Sequence, residues 1–190
     1  MRWERLFDDL EAQLAAAAEA ELAGEVAERT RYERAQLTLA DRLVAWVGEP
    51  VTLDLLGGAS VAGRLDQAAQ QWVVVVDGPL PALVPMTAVL AVGGLGRPAS
   101  AVDRDAVLRR LSLPAALRAV ARDRSPVRVG LVDGRVLTGT VDAVGADHLD
   151  LAEHPVDELR RPASVRGVRA VALAAVAVVR PAPGSTTLTG

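Results

Sequence analysis

Residues Val127–Leu151 read VRVGLVDGRVLTGTVDAVGADHLDL. Val127, Val129 and Leu131 alternate with Arg128 and Gly130, the period of a strand with one buried face. Asp133-Gly134 supply a tight turn, because glycine tolerates the positive φ that such a hairpin demands. Val136–Val141 is the returning strand, and Gly139 inside it marks a bulge or sharp bend. Leu149 and Leu151 form a third strand, apolar on one face, and Ala172–Val179 supplies the last strand or two.

The same pattern stands earlier in the chain. At an offset of about 76 residues, Pro50-Val51 falls on Pro126-Val127, Leu55 on Leu131, Gly58 on Gly134, Gly63 on Gly139 and Asp66 on Asp142. The residues before it match too, with Ala40, Arg42, Val44 and Ala45 opposite Ala116, Arg118, Val120 and Ala121. The second copy then carries about eleven extra residues around HPVDELRRPASVRGV, and the copies rejoin at Ala88-Val89 opposite Ala175-Val176. Such self-similarity predicts two tandem copies of one small unit, a short helix followed by strands.

The copies differ at the third strand. Trp72-Val73-Val74-Val75-Val76 is apolar on both faces, whereas His148-Leu149-Asp150-Leu151-Ala152 is apolar on one. A strand buried on both faces needs a cover from outside its own unit. The N-terminal helix, the other unit and a second subunit are the candidates, and Trp72, Val74 and Val76 are the expected interface residues.

A short helix, then V-x-V-x-L-x-D-G-R, a glycine five residues beyond the first and an apolar strand resembles the opening motif of the Sm-like family, LSm and Hfq among them. Val127, Val129, Leu131, Asp133, Gly134, Arg135, Gly139, Val141 and Leu149 carry the resemblance. It covers Leu113–Leu151 best and Leu39–Val76 less well, under half the chain. It implies an α+β protein in which a helical arm (1–36) precedes two tandem, five-stranded, SH3-like small barrels (37–96 and 97–180), each preceded by a helix. Many members form rings that bind single-stranded RNA. The Asp-x-x-x-Asn pattern and stacking aromatic of the RNA-binding members have no counterpart in Val144–His148, and Val165-Arg166-Gly167 only loosely echoes the family's second signature. That echo is assigned to the inserted loop. The whole chain also resembles a group of actinobacterial proteins, which implies no activity.

Around the repeats, Trp3 to about Val47 reads as helical, with Trp3, Phe7, Leu10 and Leu14 in an apolar stripe. Glu25/Arg29 and Arg29/Glu33 support an exposed helix, and Thr38 with Asp41 marks a new helix start. This arm either packs on its own protein or dimerises. Pro181–Gly190 reads as a disordered tail.

Composition narrows the function classes. All 21 basic residues are arginine, as in a high-GC bacterial genome, and the absence of cysteine excludes disulfides and thiolate metal sites. The acidic, amphipathic N-terminus is unlike a secretory signal, and the longest apolar stretches hold Pro or Gly, so a cytoplasmic protein without membrane spans is expected. Residues 1–96 carry a net charge of −7 and residues 97–190 a net charge of +4. The basic half has three candidate partners: phosphate, an acidic protein, or the acidic half of its own chain.

Chemistry-bearing motifs are few. His148 and His154 lie six apart among Asp147, Asp150 and Glu153, without ligand spacing for a metal, and both are expected in solvated loops. Gly93-Gly94-Leu95-Gly96 lacks the lysine of a phosphate loop, and no serine stands in a nucleophile elbow. Arg160, Arg161, Arg166 and Arg169 in the insert, with Arg128 and Arg135, form a candidate phosphate or partner contact. The expectation is a non-enzymatic interaction or scaffolding protein, a homodimer or bound to a protein partner, with no cofactor, metal or small-molecule substrate. The alternative is single-stranded RNA binding on the arginine-bearing face of the second unit.

Overall fold

The computed structural model describes residues 22, 24, 28, 29, 31, 32, 35–78, 80–96, 110–155 and 166–183. Residues 1–38 and 39–190 form separate compact units. In the first, Leu22, Gly24, Glu28, Arg29, Arg31, Tyr32, Ala35 and Gln36 are helical, as expected for the stretch from Trp3 to about Val47. The Trp3–Leu14 stripe lies outside the described residues.

The second unit opens with helix α1 (Leu39–Ala45), directly after Thr38, and buries Ala40, Leu43 and Val44. Strands β1 (Pro50–Leu55), β2 (Ser60–Ala68), β3 (Trp72–Asp77), β4 (Leu80–Pro85) and β5 (Val89–Gly93) follow. Helix α2 (Leu113–Asp123) begins the second copy, continued by β6 (Val127–Leu131), β7 (Val136–Val144), β8 (His148–Glu153), β9 (Gly167–Ala172) and β10 (Val176–Pro181). Alternation is strict in β1, where Val51, Leu53 and Leu55 are buried and the residues between them exposed. Both copies bend their second strand at equivalent points, with register shifts between Leu65 and Gln67 and between Val141 and Ala143. Gly139 lies beside that bend because a Cβ there would run into the Ala152 carbonyl of β8.

The architecture departs from the expected α+β pair of closed five-stranded barrels. The ten strands form one continuous sheet, in the order β5-β1-β2-β3-β4-β10-β6-β7-β8-β9, with every pairing antiparallel. The fold is mostly β, and neither half closes on itself. The reason is pairing choice. Strand β4 finds its second neighbour not in β5 of its own copy but in β10 of the other, with Leu83 opposite Val179. Each half keeps the same internal order of fifth, first, second, third and fourth strand. The second copy does carry eleven extra residues, but Gly167 and Val168, read as part of the insert, already belong to β9.

Two apolar clusters fill the unit, and each borrows from the other copy. Ala69, Trp72 and Leu83 of the first copy lie in the cluster built on Leu117, Val129, Leu149, Leu151 and Val176 of the second. Val178 of the second copy lies in the cluster of Leu43, Leu53, Leu65, Val73 and Val75. The two-faced strand β3 thus divides its side chains, Trp72 and Val74 to one cluster, Val73 and Val75 to the other. The turns of the two first hairpins meet as well. Gly57 (φ 81°) sits so close that a Cβ would approach the Leu131 carbonyl oxygen at 2.7 Å and the Gly134 nitrogen at 2.8 Å.

The chain's end also differs from the expected tail. Pro181 pairs with Val127, and Ala182 is buried with its N–H donating to the Pro126 carbonyl at 2.9 Å. Residues 184–190 lie outside the described residues. No helix among the described residues is long and apolar enough to cross a membrane.

Candidate partner-binding groove

Helix α2 is held over the seam between the copies by hydrogen bonds from the first copy. The Trp72 indole Nε1–H donates to the Leu111 carbonyl at 2.9 Å, and the Leu113 N–H donates to the Gln71 side-chain oxygen at 2.9 Å. Ser112 caps the helix, its Oγ accepting from the Ala115 N–H at 3.4 Å. At the other end Arg124 takes a left-handed conformation (φ 56°), its N–H returns to the Ala121 carbonyl, and its side chain pairs with Asp142 at 3.1 Å.

Fixed at both ends, α2 does not fill the space beneath it, because its facing residues include small alanines. A groove of about 580 Å³ remains, within the range of ordinary ligand pockets. Its floor is Trp72, Val74, Leu83, Val127 and Val179, from both copies, and Val120 comes from the helix. Arg118, Arg122 and Arg180 stand along it, with Asp123 the carboxylate among the lining residues. None of these three arginines makes an ion pair among the described residues. Arg180 also stands directly opposite Arg128 across the β10–β6 ladder. Like charges facing each other across a ladder repel, so this corner favours a negative group.

The arginines singled out from the sequence are not gathered into one patch. Arg135 is tied to Asp133 at 2.6 Å, and Arg169 grips Glu153 with Nε at 2.8 Å and a second nitrogen at 3.1 Å. The Asp133 carboxyl is held below its ordinary value, chiefly by the Arg135 backbone N–H. Arg166 is exposed and its backbone N–H donates to the Glu153 carbonyl. Arg160 and Arg161 lie outside the described residues. Of the expected interface residues, Trp72 and Val74 line the groove, whereas Val76, opposite Arg64 and Pro81, is not among its lining residues. Arg118, Arg122 and Arg180 were not singled out. Arg118 and Arg122 are spaced i,i+4 in the helix before the second hairpin pattern, and that spacing was the available signal.

The histidines are placed differently from one another. His148 is exposed, and its Nδ1 bonds the Asp147 carboxylate at 2.8 Å. That bond raises the His148 pKa, aided by the charges of Asp147 and Asp150, and lowers that of Asp147. His154, expected in a solvated loop, is instead buried. Its Nδ1 lies 2.9 Å from the Pro155 carbonyl, which can only accept, so Nδ1 carries the proton. In the neutral imidazole Nε2 then accepts from the Thr140 hydroxyl at 2.9 Å, and both are satisfied. Among the described residues no group of three or more His, Asp or Glu is placed to hold a metal ion. No known protein family, curated protein or solved structure matches this chain.

Proposed function

We propose that this is a non-enzymatic interaction protein whose seam groove receives an acidic, amphipathic segment of a protein partner. The observation that carries the reading is the groove's composition: an apolar floor from both copies beside three arginines without ion pairs among the described residues. An apolar floor rewards burial of aliphatic or aromatic side chains at roughly 25 cal/mol per Å². The arginines favour carboxylates nearby and speed encounter with a negative partner. Single-stranded RNA is the competing occupant, drawn to the same cations. Two of the arginines first assigned to it, Arg135 and Arg169, are neutralised by their own carboxylates.

The test is co-purification with the full-length chain as bait, beside an Arg118→Glu/Arg122→Glu variant and a Val74→Glu variant. Each identified partner is then purified and its binding measured by fluorescence anisotropy across a salt series. A protein that binds the wild type and loses at least tenfold in affinity to both variants supports the reading. Recovery of nucleic acid alone, released by ribonuclease, overturns it in favour of RNA. A protein partner that binds all three forms equally places the contact elsewhere.

A further inference from the structure

The sheet ends in two strands that have only one neighbour among the described residues, β5 on one side and β9 on the other. Unpaired edges expose backbone donors and acceptors and act as templates for another strand, unless charge, proline or a cover blocks them. Strand β5, VLAVG, contains neither a charge nor a proline, and Leu90 is 64% exposed. Strand β9, GVRAVA, exposes Val168 at 63%, and its single charge, Arg169, is drawn to Glu153 on the adjacent strand β8.

These edges are related to the seam inside the molecule. Beyond the insert the copies run at a constant offset of 87 residues, so β4 (Leu80–Pro85) corresponds to β9 (Gly167–Ala172). The 3-10 turns Met86–Ala88 and Leu173–Ala175 correspond, and β5 corresponds to β10. The seam joins a fourth strand to a fifth strand, β4 to β10. What is left over is the other fourth strand and the other fifth strand, β9 and β5. Among the described residues the molecule therefore contains one worked example of a pairing whose two halves also stand at its edges.

We propose that β9 of one molecule pairs antiparallel with β5 of the next copy, repeating the internal seam between molecules with Ala170 opposite Val92. The register follows from the seam, where Leu83 stands opposite Val179, their equivalents at the same offset. Burial supports it. Leu83 and Val179 are 8% and 4% exposed at the seam, while Ala170 is exposed and Val92 half-buried at the edges. The contact is head-to-tail, so it joins two different surfaces, and repeated contacts close into a ring or continue as a filament. The homodimer expected from sequence is its smallest case. This proposal is independent of the groove, whose arginines lie on neither edge strand.

Because the chain has no cysteine, engineered thiols report the register directly. Full-length Val92→Cys and Ala170→Cys proteins are mixed, oxidised and run on a non-reducing gel. The expected result is a reducible dimer in the mixture and little in either protein alone. Ala91→Cys, one residue along and on the opposite face of the strand, should cross-link to Ala170→Cys several-fold less. Light scattering of the wild type should show an assembly larger than the monomer, lost in Val168→Lys and in Leu90→Lys, each checked for folding by circular dichroism. A wild-type monomer at every concentration with no mixed cross-link overturns the proposal. So does a dimer formed mainly by Val92→Cys with itself, which means a two-fold contact instead. Since the cysteine substitutions are small and at exposed or half-buried sites, the cross-linking arm stands even if a lysine variant fails to fold.

Discussion

Asp147 and His148 form an exposed pair in which each group perturbs the other in the direction that favours charge on both. The His148 imidazole should titrate above its ordinary value of about 6.5 by NMR, and Asp147→Asn should bring it down towards that value. A raised folded-state pKa contributes stability that is fully present below the unfolded value and is lost as pH rises through the folded value. The pair is solvent-exposed, so its effect on unfolding is expected to be small and screened by salt. Thr140 and His154 are the opposite case, buried and mutually satisfied. Thr140→Val removes the donor and leaves the His154 Nε2 without one, at an expected cost of about 1–3 kcal/mol by urea denaturation. The neutral spacing of the two histidines did not distinguish them in the sequence, because burial of His154 depends on β7 lying beside β8.

At the scale of elements, hairpin turns and bends were legible because their chemistry is local. Asp133-Gly134 does make the β6–β7 turn, with Gly134 at φ 87°, and Gly139 does stand at a close approach between strands. Gly57 adds a non-local requirement: its positive φ and its contact with Leu131 and Gly134 of the other copy both exclude a side chain. Gly57→Ala should therefore cost about 1–3 kcal/mol from backbone strain, with a further penalty from the backbone clash. Comparing denaturation midpoints with Gly58→Ala checks this, since a Cβ at Gly58 meets nothing within 4 Å while the φ of 79° is equally unfavourable. A larger loss at Gly57 isolates the contribution of the turn-to-turn contact. The strand β9 was missed because GVRAVA alternates weakly and follows an arginine-rich insert, so neither period nor flanking signals set it apart.

For the whole molecule, the shared cores make the two copies one cooperative object. Trp72 is 3% exposed and lies among second-copy residues. Trp72→Ala should cost about 3–5 kcal/mol, and circular dichroism during urea denaturation should show both copies losing stability in one transition. Two separate transitions, with only one shifted, would mean that the halves fold independently. By itself the sequence determined that a unit is duplicated, where most strands lie, which residues turn the first hairpins, and that β3 needs a cover on both faces. Those features follow from two-residue periodicity, glycine conformational freedom and self-similarity, all of which act over short distances along the chain. Only the tertiary structure decided that β4 pairs with β10 instead of each half closing on itself, that the second copy covers Trp72 and Val74, and that Arg118, Arg122 and Arg180 converge on one groove. Strand edges carry no address in their own residues. Which edge meets which is settled by the burial that the completed sheet achieves.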